Sequence, residues 1–117
     1  MSWLARVVEA WQDDDVAVAA VEGEIDSSNV GEIAERVRAM LTNRSMALVV
    51  DLAETTYIDS AGINLLFTLG AELKDRQQRM LLVVAPGSGI ARMLSITGLD
   101  AEVPTHPTRE AALAAAG

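Results

Sequence analysis

Met46-Ala-Leu-Val-Val-Asp-Leu52 leads through Ala53-Glu-Thr-Thr-Tyr-Ile58 into Asp59-Ser60-Ala61-Gly62, and a second apolar run begins near Ile63. The first run is short and almost wholly apolar, as expected of a strand buried on both faces in an α/β sheet. The second repeats its apolar residues at helical spacing: Ile63, Leu66, Phe67, Gly70 and Leu73 share one stripe, ending near Arg76. A serine therefore stands where a helix starts. Ser60 reads as an N-cap or as an acceptor of phosphate, because the first helical N–H groups lack partners and carry partial positive charge. A phosphate on that serine would sit where anions are favoured.

Working outward from this centre gives the fold. Upstream, residues 4–11 read as a strand, Gln12-Asp13-Asp14-Asp15 as a polar break, and Val16 to Val21 as a second strand, closed by Gly23-Glu24-Ile25-Asp26. The short break makes the pair an antiparallel hairpin. Asn29 reads as a helix N-cap, with Glu32 completing a capping-box-like pair. Val30, Ile33, Val37 and Met40/Leu41 form that helix's apolar stripe, and Asn43-Arg44-Ser45 ends it. Leu65 and Leu69 fall outside the stripe of the Ser60 helix, so that helix has a second buried face or a docking surface. Downstream, Met80 to Ala85 is another buried strand and Pro86-Gly87-Ser88-Gly89 a strand-to-helix turn. A short helix carrying Ile90, Met93 and Leu94 stops at Gly98, a favoured residue just past a helix end. Ala101 to Pro104 reads as a last strand, and Thr108 caps a final alanine-rich helix. The order β-β-α-β-α-β-α-β-α implies right-handed crossovers. The expectation is one α/β domain over residues 1–117: a mixed sheet of four to five strands packed with about four helices.

Composition narrows the function. The chain has 117 residues, half of them hydrophobic but only four aromatic, so the core is aliphatic. The absence of cysteine excludes disulfides, thiolate nucleophiles and cysteine-bound metals. A net charge of −8 argues against nucleic acid and against anionic membrane surfaces, and suits partners with basic patches. No signal peptide and no apolar run long enough to span a bilayer are visible, which points to the cytoplasm. The three adjacent aspartates read as an acidic hairpin tip rather than a cation site. Met40, Met46, Met80 and Met93 read as core filler, Trp3 and Trp11 as packing residues, and His106 as a solvated turn residue.

In a parallel sheet, functional groups gather beyond the carboxyl ends of the strands. Asp26 follows the second strand, and Asp59 and Ser60 follow the third, so these residues are expected at one rim. They do not make a hydrolase, since a serine nucleophile needs a base and the only histidine lies far along the chain. Nor do they make a phospho-aspartate receiver. No helix separates the first two strands, and Lys74, the only lysine, falls mid-helix. The Pro86–Gly89 turn lacks the lysine and spacing of a P-loop. No catalytic residue, cofactor or metal is therefore assigned.

The stretch Val50-Asp-Leu-Ala-Glu-Thr-Thr-Tyr-Ile-Asp-Ser-Ala-Gly62 resembles the signature of the STAS domain, and especially of bacterial anti-sigma factor antagonists. Gly23-Glu-Ile-Asp26, Ile90-Ala-Arg-Met-Leu94 with Thr97-Gly98-Leu99, and Pro107-Thr-Arg-Glu-Ala-Ala-Leu113 match in order, so the likeness spans nearly the whole chain. The resemblance implies that Ser60 is phosphorylated by a cognate anti-sigma factor kinase and that Asp26 is its acidic neighbour. It implies a partner switch. The unphosphorylated protein, a monomer when free, binds the anti-sigma factor and releases a sigma factor; phosphorylation ends binding and a serine phosphatase restores it. The docking residues so implied are Asp26, Asp59, Ser60, Ala61, Gly62, Ile63 and Asn64. Asn64 stands where the family often has glycine. Two alternatives share the fold: a STAS module of a transporter-associated or stressosome-like complex, and a nucleotide- or small-ligand-binding domain.

Overall fold

In a computed structural model, the structure describes residues 6–13 and 15–116, with the first strand described by its backbone alone. β1 (Arg6–Asp13) pairs antiparallel with β2 (Val16–Ile25). The strand thus continues through Gln12 and Asp13, where the polar break was expected. Leu4, Trp3 and Asp14 lie outside the described residues. Trp11 is a β1 residue opposite Val18. The remaining strands are β3 (Ala47–Asp51), β4 (Thr55–Ile58), β5 (Arg79–Val83) and β6 (Thr105–His106). All their pairings are parallel, in the order β1-β2-β3-β5-β6, with β4 beside β2 past the end of β3. The helices are α1 (Val30–Met40), α2 (Ser60–Asp75), α3 (Gly89–Thr97), α4 (Leu99–Glu102) and α5 (Arg109–Ala116).

The alternation of strand side chains divides the interior into two layers. Leu48 and Val50 of β3, with Met80 and Leu82 of β5, join the larger core beneath α1, α2 and α3. Ala47, Val49, Leu81 and Val83 face the other way, where Ala112 of α5 covers them. Burial on both faces explains why β3 and β5 carry almost no polar residue. Leu69 is 1% exposed and belongs to the main core, which accounts for one residue outside the α2 stripe; Leu65 and Phe67 pack against that core half-buried.

Four expectations need correcting. Residues 55–58 form β4, a strand missing from the expected order. Among the described residues its only strand partner is the far end of β2, so its pairing is a long-range event with little local signal. Ala101 to Pro104 do not form the expected strand; residues 99–102 are helical. Gly98 turns left-handed at φ 80° and lets fully buried Leu99 pack at the start of α4. The last strand comes later, at Thr105–His106. Met46 precedes β3 and is exposed, outside the core.

Candidate functional site

β2 outruns β3. Val16 to Ala20 pair with β3, and Gly23, Glu24 and Ile25 then pair with Thr55, Tyr57 and Ile58 of β4. The last two partners, Ile25 and Ile58, are buried. The residues that follow them, Asp26 and Asp59, consequently leave the sheet side by side at its carboxyl rim. The Asp59 N–H donates to the Ile25 carbonyl at 3.1 Å, which ties the start of α2 to the end of β2. Gly62 allows this closeness. A Cβ there would stand 2.5 Å from Ile58 Cγ1 and 2.8 Å from Ile25 Cγ2, so no larger residue fits without a shift.

The cap of α2 is Asp59 rather than Ser60. Asp59 is extended, at φ −102° and ψ −172°, and its carboxylate accepts the Gly62 N–H at 3.1 Å. A carboxylate in that position also complements the helix dipole. Ser60 becomes the first helical residue. It is exposed, and its hydroxyl takes no hydrogen bond among the described residues. Ala61 is half-buried and Asn64 exposed, whereas Gly62 and Ile63 are buried beneath them and shape the surface without presenting side chains to it.

Asp26 is held from the other side by a turn. Its carboxylate Oδ1 accepts both the Ser28 hydroxyl and the Ser28 N–H, the latter at 2.9 Å. These two donors, the hydroxyl foremost, hold the Asp26 carboxyl below the usual carboxylate range. Asn29 stands at the N-cap position of α1 but makes no side-chain cap, contrary to the capping-box expectation. Its Oδ1 accepts the Asp26 N–H at 3.0 Å and its Nδ2 donates to the Glu24 carbonyl at 2.7 Å. Glu32 instead pairs loosely with Arg36 at 3.8 Å.

Other singled-out residues lie elsewhere. Asp51, although part of the signature stretch, is buried. It accepts from Arg109 Nε at 3.0 Å, anchoring α5. Ser88 caps α3 by accepting the Ala91 N–H at 3.1 Å, so the Pro86–Gly89 turn satisfies itself as a plain strand-to-helix connection. His106 lies in β6, separated from β2 by β5 and β3, and is half-buried with Nε2 enclosed and unpartnered among the described residues. It is not the solvated turn residue its flanking proline suggested. Strand β4 also borders a groove of about 450 Å³ against the start of α3, lined in part by Tyr57, Ile58 and Met93. Among the described residues, no helix is long and apolar enough to cross a membrane.

Comparison with known proteins places the chain in a family. The family model described as "STAS domain" matches residues 8–112. The anti-sigma-F factor antagonist RsfB of Mycobacterium tuberculosis (strain H37Rv) is 31% identical over 85 residues, 73% of this chain and 68% of that protein. The anti-sigma-B factor antagonist of Listeria monocytogenes is 28% identical over 89 residues, 76% of this chain and 77% of that protein. Among solved structures, an anti-sigma factor antagonist from Mycobacterium paratuberculosis superposes with a TM-score of 0.85 at 26% identity, covering 97% of this chain and 94% of its own. The chain belongs to the STAS domain family.

Proposed function

We propose that this chain is an anti-sigma factor antagonist acting as one domain over residues 1–117, and that Ser60 is its phosphorylation switch. The observation that carries this reading is the exposed hydroxyl of Ser60 on the first turn of α2, without a partner among the described residues, with Asp59 capping beside it. The docking rim comprises Asp26, Asp59, Ser60, Ala61 and Asn64, supported from below by Gly62 and Ile63. Its partner is an anti-sigma factor that is also the serine kinase, so this chain is substrate rather than catalyst. Binding it in the unphosphorylated state frees a sigma factor, and a serine phosphatase resets the switch. The cycle runs in the cytoplasm, with the free antagonist monomeric.

Electrostatics supports the direction of the switch. Phosphate adds about −1.5 to −2 charges. Beside Asp59, at about 6 Å, each unit-charge pair costs about 3 kcal/mol at an effective dielectric of about 20. The helix start returns about 0.3–2 kcal/mol. In the free protein the phosphate relaxes into water and the fold survives. Under a docked partner it cannot, and burial without a matched cation costs several kcal/mol. A loss of about 2.8 kcal/mol already lowers affinity about a hundredfold.

The test uses the protein with an ATP-binding anti-sigma factor kinase from the same organism. Mass spectrometry should find one phosphate on the parent and none on Ser60→Ala, and calorimetry should find Ser60→Asp binding at least about a hundredfold more weakly than the parent. Phosphate on another residue, or equal affinity of Ser60→Asp and parent, would remove Ser60 from the role.

A further inference from the structure

From the hydrogen bonds at the end of β2 we infer that Asn29 is a positioning residue for Asp26. On this inference the docking competence of the rim depends on Asn29 although it offers no surface to a partner. The inference rests on the rim being the docking surface, and it names the residue that sets that surface's geometry.

Asn29 is 2% exposed, so no partner can grip it directly. Both ends of its amide are spent on backbone. Nδ2 holds the Glu24 carbonyl at 2.7 Å, and Oδ1 holds the Asp26 N–H at 3.0 Å. These bonds bracket Ile25, the residue through which β2 joins both Ile58 and the Asp59 N–H. The Asp26 carbonyl in turn accepts the Asn29 and Val30 N–H groups, both at 3.1 Å, and closes the turn from the far side. With the backbone clamped on both flanks, Ser28 is delivered onto Asp26 Oδ1. Among the described residues Oδ2 is left without a partner. A carboxylate with one oxygen occupied and one open among the described residues, at the strand end to which the Asp59 N–H is tied, is a directed acceptor for a cationic or N–H donor group of the partner.

A residue with an ordinary helix-capping role would spend its oxygen on a helical N–H. Asn29 does not, and a shorter side chain cannot span from the Glu24 carbonyl to the Asp26 N–H. Buried amide groups left unpaired are costly, so the turn must rearrange when Asn29 is replaced. The rearrangement acts first on the neighbour whose backbone it holds, Asp26.

Two readouts test this. The first needs no partner: titration of the Asp26 carboxyl by carbon-13 NMR in the parent, Asn29→Ala and Asn29→Ser. Serine keeps a favoured helix-start residue, so this variant guards against simple unfolding. Both variants should move the Asp26 midpoint up toward the ordinary carboxylate value, because the Ser28 donors lose their registration. An unmoved midpoint in a folded variant overturns the inference. The second is a double-mutant cycle read as affinity for the same anti-sigma factor kinase. Asn29→Ala should weaken binding about tenfold, the change that one lost hydrogen bond of about 1.4 kcal/mol produces. Added to Asp26→Ala, it should weaken binding by less than about twofold more, since a residue acting through Asp26 has nothing left to position. A full further loss in the double variant overturns the inference in favour of an independent role. If the parent binds no such kinase, the proposed function fails while the carboxyl titration still decides the role of Asn29.

Discussion

Two ends of the sheet are held by the same device and do different things. At the carboxyl rim, buried Asn29 ties the Glu24 carbonyl to the Asp26 N–H. At the opposite end, buried Gln78 donates Nε2 to the Thr42 carbonyl at 3.1 Å and the Ser45 carbonyl at 2.6 Å. Each amide crosslinks a strand end to a neighbouring turn, so neither is by itself a sign of function. The difference lies in what each turn presents. The Asn29 turn carries an ionised Asp26 beside the exposed Ser60, whereas the Gln78 clamp joins α2's exit to the turn before β3. Gln78 is also incompletely satisfied, with Oε1 enclosed and unpartnered among the described residues, while Asn29 uses both ends.

Breaking the close approach at the rim should have the largest effect. Gly62→Ala drives a methyl against Ile58 and Ile25, and overpacking of this kind costs about 1–3 kcal/mol. Denaturant melts should show that loss, while Gly31→Ala, whose added Cβ meets nothing within 4 Å, should not lower stability. The other end gives the control for function. Gln78→Ala strands the buried Ser45 carbonyl, while the Thr42 carbonyl keeps the Ser45 N–H at 3.1 Å, and the cost is about 1–3 kcal/mol; affinity for the anti-sigma factor should nevertheless stay within about twofold. If binding falls as stability falls, the two ends are not separable.

Capping gives a smaller contrast that sharpens the assignment within the rim. Asp59→Ala removes the bond to the Gly62 N–H and should cost about 0.5–2 kcal/mol. Ser60→Ala, at an exposed hydroxyl without a partner among the described residues, should change stability by less than about 0.5 kcal/mol. Reversal of that order in thermal melts would make Ser60 the cap. The smallest effect concerns acid. The Asp26 carboxyl lies below its ordinary range because Ser28 donates to it, so its contribution to stability is present above the unfolded value and is lost as pH falls through the lowered one. Ser28→Ala should raise the Asp26 midpoint in NMR titration and leave stability at neutral pH nearly unchanged. An unshifted midpoint would mean that Ser28 is not the cause.

Much of this was legible along the chain. The doubly buried run at 47–51 and the α2 stripe through Leu66 and Leu73 follow from periodicity; Asp26, Asp59 and Ser60 were expected at one rim by way of the third strand, whereas it is β4 that sets Asp59 beside Asp26. Strand β4 was not legible, because four residues with two exposed members, Thr56 and Tyr57, have little pattern until β2 pairs with them. Asn29 beside Glu32 looks like a capping box on spacing alone. Its side chain turns away only because the folded sheet brings the Glu24 carbonyl within reach. Asp59 and Ser60 are both good cap residues, and local chemistry does not choose between them. The bond from the Asp59 N–H to the Ile25 carbonyl holds Asp59 in extended backbone and makes Ser60 helical.

By itself, then, the sequence determined the alternation of strands and helices, the aliphatic two-faced core and the serine at a helix start, since each depends on residues a few positions apart. Tertiary structure decided which residue caps that helix, why Gly62 must be glycine, where the last strand runs, and that Met46 is exposed while His106 is half-buried. Those outcomes depend on segments some twenty or more positions apart meeting across the sheet, as Leu82 meets Thr105, as Ile25 meets Ile58 and as Gln78 meets Ser45. Contacts of that range are set by packing and pairing, and no window along the chain contains both partners.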